Sequence, residues 1–403
     1  MIANLLIVLV IAGCAAYQYL KGTLVKSFVT IITTICAGIA AFSYFEILAN
    51  VFISRSANTR YPSMVLLAQP LAFVLLFVLA FAILQTIAAK LIRQEIDLGL
   101  LPERIGRVVC GVFLGLMLSG LLLTVLAMAP LPNSYPYQRF DAASPDAEKP
   151  SKVLLNADGF ATGWFSTVSS GSFSGKRSFA TLHPDFLDQL FLNRLGFADK
   201  VSIITSSPAI EVPKKKAAWP APENLKDSNG NAIPQKTGHN LIIVRVGIRR
   251  NAVREAGRFT LSQLRLVCKQ KNYSGNTLGG KGKNIYPVGY LKTANQLQLK
   301  KLNDLLQLKT SDFKDRVKWL DFAFYVPNDF LPVLVEFKQN SIVEVPPLIS
   351  AEQAPPTVPF TESPEHTEES AETKKPGPEH KPADKRSELS NVSKHVLGDR
   401  FDE

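Results

Sequence analysis

Charge is nearly missing from the first third of this 403-residue chain. Residues 1–130 hold eight Lys/Arg and four Asp/Glu, against 37 and 30 in the remainder. Cysteine is scarce as well. Cys14, Cys36 and Cys110 lie in apolar stretches and Cys268 stands alone in the polar part, which excludes an intrachain disulfide framework and any CxxC pair. The five histidines, His183, His239, His366, His380 and His395, follow no metal-ligand spacing such as H-E-x-x-H. GSFSG, residues 171–175, misses the G-x-S-x-G nucleophile elbow because Phe173 takes the serine's place. The same stretch continued to Lys176 misses the phosphate loop by one residue of spacing and lacks the Ser/Thr after the lysine. LGGKGKN, residues 278–284, has no strand-to-helix context. These absences predict no cofactor, no metal site and no enzymatic activity.

What is present begins with four uncharged runs: residues 1–20, 27–45, 61–89 and 108–130. About 20 apolar residues in a helix cross a hydrocarbon core of ~30 Å, so a four-span membrane bundle over residues 1–130 is expected. A signal peptide would carry positive charge ahead of its apolar core, whereas here Lys21 and Lys26 follow it. YLKGTLVKSF, residues 19–28, is therefore expected to turn the chain at a membrane face, with Gly22 supplying an unusual backbone angle. A lysine at the bilayer centre costs about 2.5–3.5 kcal/mol, so Lys21 and Lys26 mark an interface. In the fourth run Gly111, Gly115 and Ser119 recur every four residues and line one helix face, a spacing that lets another helix approach closely. Gln18, Gln69 and Gln85 are the only long polar side chains inside the spans. They either bridge helices or line a water path. With the N-terminus outside, the inner loops carry Lys21, Lys26, Lys90, Arg93, Arg104 and Arg107, and the outer loop only Arg55 and Arg60. Positive charge favours the cytoplasmic side, which places the large C-terminal part outside the cytoplasm.

Two places in this bundle resemble the colicin V production protein (CvpA) family of bacterial inner-membrane proteins. Lys21 and Gly22 stand where the family carries a basic residue followed by Gly between its first two spans. ERIGRVVCGVFLG supplies Glu103 and Arg104, Arg107, Gly111 and Gly115 at the start of the last span. Gln18 or Tyr19 occupies the place of a further family glycine, and the spacing ahead of Gly111 is shifted by one residue. The resemblance covers about a third of the chain. It implies a multi-pass protein of the bacterial inner membrane, linked to colicin V production or export and to envelope upkeep, with no catalytic residue.

Residues 131–238 are expected to be a linker with one amphipathic helix, in which Phe186, Leu187, Leu190, Phe191 and Leu195 share a face and Gly196 is a stop. Residues 239–346 alternate apolar and polar side chains in short runs between Gly, Asn and Pro turns, the signature of an antiparallel β-sandwich. FYVPNDFLPVLVEF, at 324–337, resembles the last hairpin of small immunoglobulin-like domains. Residues 347–403, rich in Pro, Glu, Ser and Thr, are expected to be disordered. The fold class predicted is thus an all-α membrane bundle followed by a soluble all-β, immunoglobulin-like domain and an acidic tail.

Residues 131–350 carry 30 Lys/Arg against 18 Asp/Glu, and residues 351–403 carry 7 against 12. Such a basic domain would attract an anionic envelope polymer, lipid headgroups or an envelope protein; nucleic acid is not expected outside the cytoplasm. A homo-oligomer is a further option. Two functions remain open from the sequence: a non-enzymatic membrane scaffold or export factor, and a small-solute pore or transporter formed by the bundle.

Overall fold

The apolar runs become helices because, at about 20 residues and more without interior charge, only a helix satisfies their backbone groups internally. The computed structural model describes residues 2–56, 65–91, 99–171, 178–273, 275, 276 and 278–362. Outside these lie Arg60, Arg93, most of the GSFSGKR stretch, and the tail from residue 363 with His366, His380 and His395. The four long helices are α1 (Ile2–Lys21), α2 (Leu24–Ser56), α3 (Ala68–Leu91) and α4 (Leu100–Met128). Each is long and apolar enough to cross a membrane. Leu5, Leu9, Leu75, Leu79 and Ile105 are among the large apolar side chains exposed on their outer faces, as lipid contact requires. Lys26 and Glu46 lie 20 residues apart on α2, or about 30 Å. That matches the hydrocarbon thickness, so the two charges bracket the span.

Gly22 works differently from the expectation. It is not among the glycines with positive φ. A Cβ there would lie 2.6 Å from Gln18 Oε1 and 2.7 Å from the Gln18 carbonyl oxygen. The Ser27 hydroxyl donates to that same Gln18 Oε1 at 2.7 Å, so close approach across the α1–α2 turn, not backbone angle, requires glycine. Lys21 and Lys26 are exposed beside the turn.

Gly111 and Gly115 bring α4 onto α1: a Cβ at either would come within 2.6 Å of a Cα, of Ala15 and Ile11 respectively. Ser119 is fully buried and donates to the Leu116 carbonyl at 2.9 Å. Gln85 donates to Thr30 Oγ1 at 3.2 Å and accepts from Thr33 Oγ1 at 3.1 Å, tying α3 to α2.

The 131–238 stretch departs from a linker with one helix. It holds α5 (Ala157–Ser170), α6 (Phe179–Leu182), α7 (Phe186–Asn193) and the short strands β1 (Ile210–Glu211), β2 (Ala218–Pro220) and β3 (Lys226–Asp227). Helix α5 is hard to see because Ser, Thr and Gly dilute its apolar face, yet Ala157, Ala161 and Phe165 are buried on the bundle. A Cβ at Gly120 of α4 would strike Ala157 and Ala161, and one at Gly38 of α2 would strike the Phe165 ring. The expected amphipathic helix is α7, which packs Phe186, Leu190 and Phe191 into the same cluster as Phe42 and Phe45 of α2.

The remaining strands are β4 (His239–Arg249), β5 (Arg258–Thr260), β6 (Leu264–Gln270), β7 (Lys283–Ile285), β8 (Gly289–Thr293), β9 (Gln296–Leu299), β10 (Leu305–Gln307), β11 (Val317–Pro327), β12 (Phe330–Phe337) and β13 (Ser341–Glu344). One sheet runs β1-β4-β11-β8-β9-β3 with β2 also on β4; a second runs β13-β12-β6-β7; β5 and β10 pair separately. Val244, Val246, Phe322 and Phe324 of the first sheet share a core with Leu264, Leu266, Val335 and Phe337 of the second. The run 258–269, which alternates like a single strand, is broken by a 3-10 turn at Leu261–Gln263. There the Gln263 side chain donates to the carbonyls of Asn193 and Ser202 instead of facing solvent. The first part of the expected disordered tail is ordered up to Glu362. Phe360 is buried against Tyr290, Pro356 accepts from Arg245, and the Val358 amide donates to the fully buried Asp321 carboxylate.

Gly115→Leu should push α1 off α4 and cost about 1–3 kcal/mol, the usual penalty of overpacking. A lowered thermal midpoint of the full-length protein in detergent would register it, and Gly13→Leu, which meets open space, should leave the midpoint in place.

Candidate functional site: the bundle–domain junction

The end of α4 exposes carbonyls with no partner in their own helix. Arg194, just after α7, fills that need. Its Nε donates to Leu131 O at 2.9 Å, Nη1 to Ala127 O at 3.3 Å and Leu126 O at 3.4 Å, and Nη2 to the carbonyls of Pro132 and Tyr135. The guanidinium sits 5.0 Å from the Phe191 ring centroid, and the residue is fully buried. A cation is favourable at a helix C-terminus, although burial pulls the Arg194 pKa down to about 10.

A second set of charges joins α2 to both β6 and β12. Glu46 Oε1 is 2.9 Å from His183 Nε2. His183 Nδ1 is 3.1 Å from Gln189 Oε1, and Gln189 Nε2 donates to Glu336 Oε1 at 2.5 Å. The Arg265 guanidinium donates to Glu336 Oε2, to Leu182 O at 2.7 Å and to Asn284 Oδ1 at 2.5 Å. Glu336 and Arg265 are a cross-strand pair of β12 and β6, and both are buried. Burial alone would lower the His183 pKa, but the Glu46 carboxylate outweighs it and the net shift is upward. Burial raises Glu336 despite Arg265.

A third set lies beside α5. Arg139 donates to Asp188 Oδ1 at 2.5 Å and to the Tyr137 hydroxyl at 2.7 Å, and its Nη1 is 3.5 Å from Asp158 Oδ2. Tyr137 in turn donates to Asp158. Burial pushes Asp188 upward against the pull of Arg139. Between α5 and the loop leading into α7 is a cavity of about 250 Å³, lined by Arg139, His183, Asp188 and Lys281 together with hydroxyls of α5.

The residues singled out from sequence fall elsewhere. Lys21 and Gly22 lie at the opposite end of α2 from Glu46, and Gly111, Gly115 and Ser119 lie on α4 along its buried length. Of the two histidines in the described soluble part, His183 is in the junction and His239 only contacts Thr237 O at 2.9 Å. The sequence does not bring the junction's charges together, although three of them leave a signal. Glu46 ends the second apolar run, and Arg265 and Glu336 interrupt apolar strands with opposite signs. Among the described residues no group of His, Cys, Asp and Glu is placed to hold a metal ion. The arrangement can hold charge between bundle and sheets, and it sets hydroxyls of α5 beside His183 and Asp188 in one cavity.

Two outcomes test the junction. Arg194→Met removes the donor to five carbonyls, the Ala127 one in a fully buried contact, and should cost about 3 kcal/mol, read as a drop in the thermal midpoint of the full-length protein. The pH dependence follows from His183, Asp188 and Glu336, all raised in the folded protein. A raised folded pKa contributes stability below the unfolded value, and that stability is lost as pH rises through the folded value. For His183 the loss begins as pH rises past the unfolded pKa of about 6.5. Amide exchange in residues 178–193 should therefore quicken beyond its intrinsic rise as pH is raised from about 6.5, and His183→Asn should flatten the trend.

No family model, curated protein or solved structure significantly matches the chain.

Proposed function

We propose that the chain is a non-enzymatic membrane scaffold, in which a four-helix anchor holds a β-rich domain at a fixed pose for an envelope partner. The observation that carries this is the junction: a soluble domain that only needed tethering would require neither Arg194 on the α4 carbonyls nor a charge chain from Glu46 to Arg265. The basic bias of the inner loops supports an N-terminus and a β domain on the extracytoplasmic side of a bacterial inner membrane. The Lys21, Gly22, Gly111 and Gly115 resemblance supports a role of the colicin V production kind, in export or envelope maintenance. An immunoglobulin-like sandwich is the domain type that the shared core of the two sheets favours. The excess of Lys and Arg over residues 131–350 suits an anionic polymer or an acidic protein surface, held by charge or by addition to a sheet edge.

The pore alternative needs Gln18, Gln69 and Gln85 turned toward water. Gln69 is buried, and the amides of Gln18 and Gln85 meet Ser27, Thr30 and Thr33 on the neighbouring helix, which supports helix packing. Gly111 and Gly115 already face α1, so they are taken within one chain and offer little to a second copy.

An alkaline-phosphatase fusion after Pro130 should be active, and a cytoplasmic reporter at the same place silent; the reverse pattern would overturn the orientation. In-cell cross-linking through residues 240–346 should capture an envelope protein or wall polymer. Products confined to copies of this chain would count against the scaffold.

A further inference from the structure

Helix α5 lies at an unusual depth. Gly38, which meets the Phe165 ring, is eight residues before Glu46 on α2; Gly120, which meets Ala157, is eight residues before the end of α4. Both intervals give about 12 Å, so two independent helices place α5 within the leaflet on the domain side. The opposite wall agrees: Phe179 packs tilted and Phe186 edge-on against Phe42, at 4.9 and 6.2 Å between ring centroids. Trp164, 40% exposed, turns outward from α5 beside Phe113.

The cavity faces away from these contacts, reaches His183 beside Glu46 at the edge of the span, and is polar. Thr162, Ser166, Thr167 and Ser170 recur at three and four residues, so one face of α5 turns hydroxyls into it. Thr162, Thr167 and Ser170 donate their hydrogens to carbonyls of their own helix, those of Asp158, Gly163 and Thr167. Their oxygens are left as acceptors. Asp185 adds a carboxylate and the exposed Lys281 an ammonium, while Asp188 and the buried Arg139 are paired with each other at 2.5 Å. Polar surface facing lipid is costly unless something polar occupies it. The volume of about 250 Å³ has room for about eight waters at ~30 Å³ each. A small headgroup would fit and acyl chains would not.

We propose that this cavity seats the phosphoethanolamine headgroup of a lipid from the domain-side leaflet, with the ammonium toward the α5 hydroxyls and Asp185 and the phosphate toward Lys281. The lining carries both signs, which suits a zwitterion better than an anionic lipid. Its acceptors call for N–H donors, which ethanolammonium has and the quaternary choline lacks. The site stands independently of the scaffold role, since it needs only the membrane embedding of the bundle.

The test is native mass spectrometry of the full-length protein from nanodiscs holding equal parts of phosphatidylethanolamine, phosphatidylglycerol and phosphatidylcholine. Retained phosphatidylethanolamine should exceed each of the others by about fivefold, a difference of about 1 kcal/mol. Ser166→Phe, which fills the cavity, and Lys281→Gln, a surface change that should leave the fold intact, should each abolish the preference. Circular dichroism would confirm that both variants fold. Equal retention of the three lipids, a preference for phosphatidylglycerol or phosphatidylcholine, or an undiminished preference in folded Lys281→Gln would each overturn the assignment.

Discussion

A guanidinium buried on the end of a membrane helix sets the terms for the rest of this structure. Arg194 can reach the carbonyls of Leu126, Ala127, Leu131, Pro132 and Tyr135 only if the α4 terminus, the segment after it and the end of α7 occupy one arrangement. Desolvating a charge without a carboxylate beside it is expensive, and the cost is offset only while all those acceptors are in place. The clamp is therefore close to all-or-none. Once it closes, α7 lies against Phe42 and Phe45 and α5 is trapped between α2 and α4. The two sheets then have a fixed base.

The charges above the clamp follow the same logic. Glu46, His183, Gln189, Glu336 and Arg265 form a chain in which each link is the partner of the next. Buried ion pairs add little net stability compared with apolar residues of the same size, but removing one member is strongly destabilising. Such a chain specifies a pose more than it strengthens a fold. A domain that must present a surface at a set height and angle over a membrane needs that specificity. Because the Glu46 carboxylate favours the protonated form of His183, the pose also acquires a dependence on pH that apolar packing would not give.

How much of this was legible depended on the scale of the signal. The four helices were plain, because charge-free runs of this length leave a helix as the only way to satisfy the backbone in lipid. The strands β4 and β11 were plain as well, since Val244, Val246, Phe322 and Phe324 alternate with Arg245 and Asp321. Helix α5 was not, because its buried side is made of Ala157, Ala161 and Phe165 among Gly, Ser and Thr, and its apolar moment is weak. Ordered residues up to Glu362 were hidden for a related reason: their Pro-rich composition is that of a disordered segment, and the sheet residues Arg245, Asp321, Tyr290 and Lys300 that hold them are far away in sequence. Gly22 had the right place and the wrong reason, since a crowded turn and a left-handed one ask for the same residue. Arg194 and Arg139 gave no local sign at all. A lone arginine in a polar stretch reads as surface until its acceptors are brought to it.

The central claim is that bundle and β domain form one body with a single relative pose. The most direct measurement is a pulsed electron-spin distance between a label at exposed Ser54 of α2 and one at exposed Leu331 of β12 in the full-length protein in nanodiscs. One narrow distance distribution is predicted at about pH 6, where the His183 charge contact is made. A broad or multi-peaked distribution under those conditions would show a domain that swings on its tether, and would contradict the account.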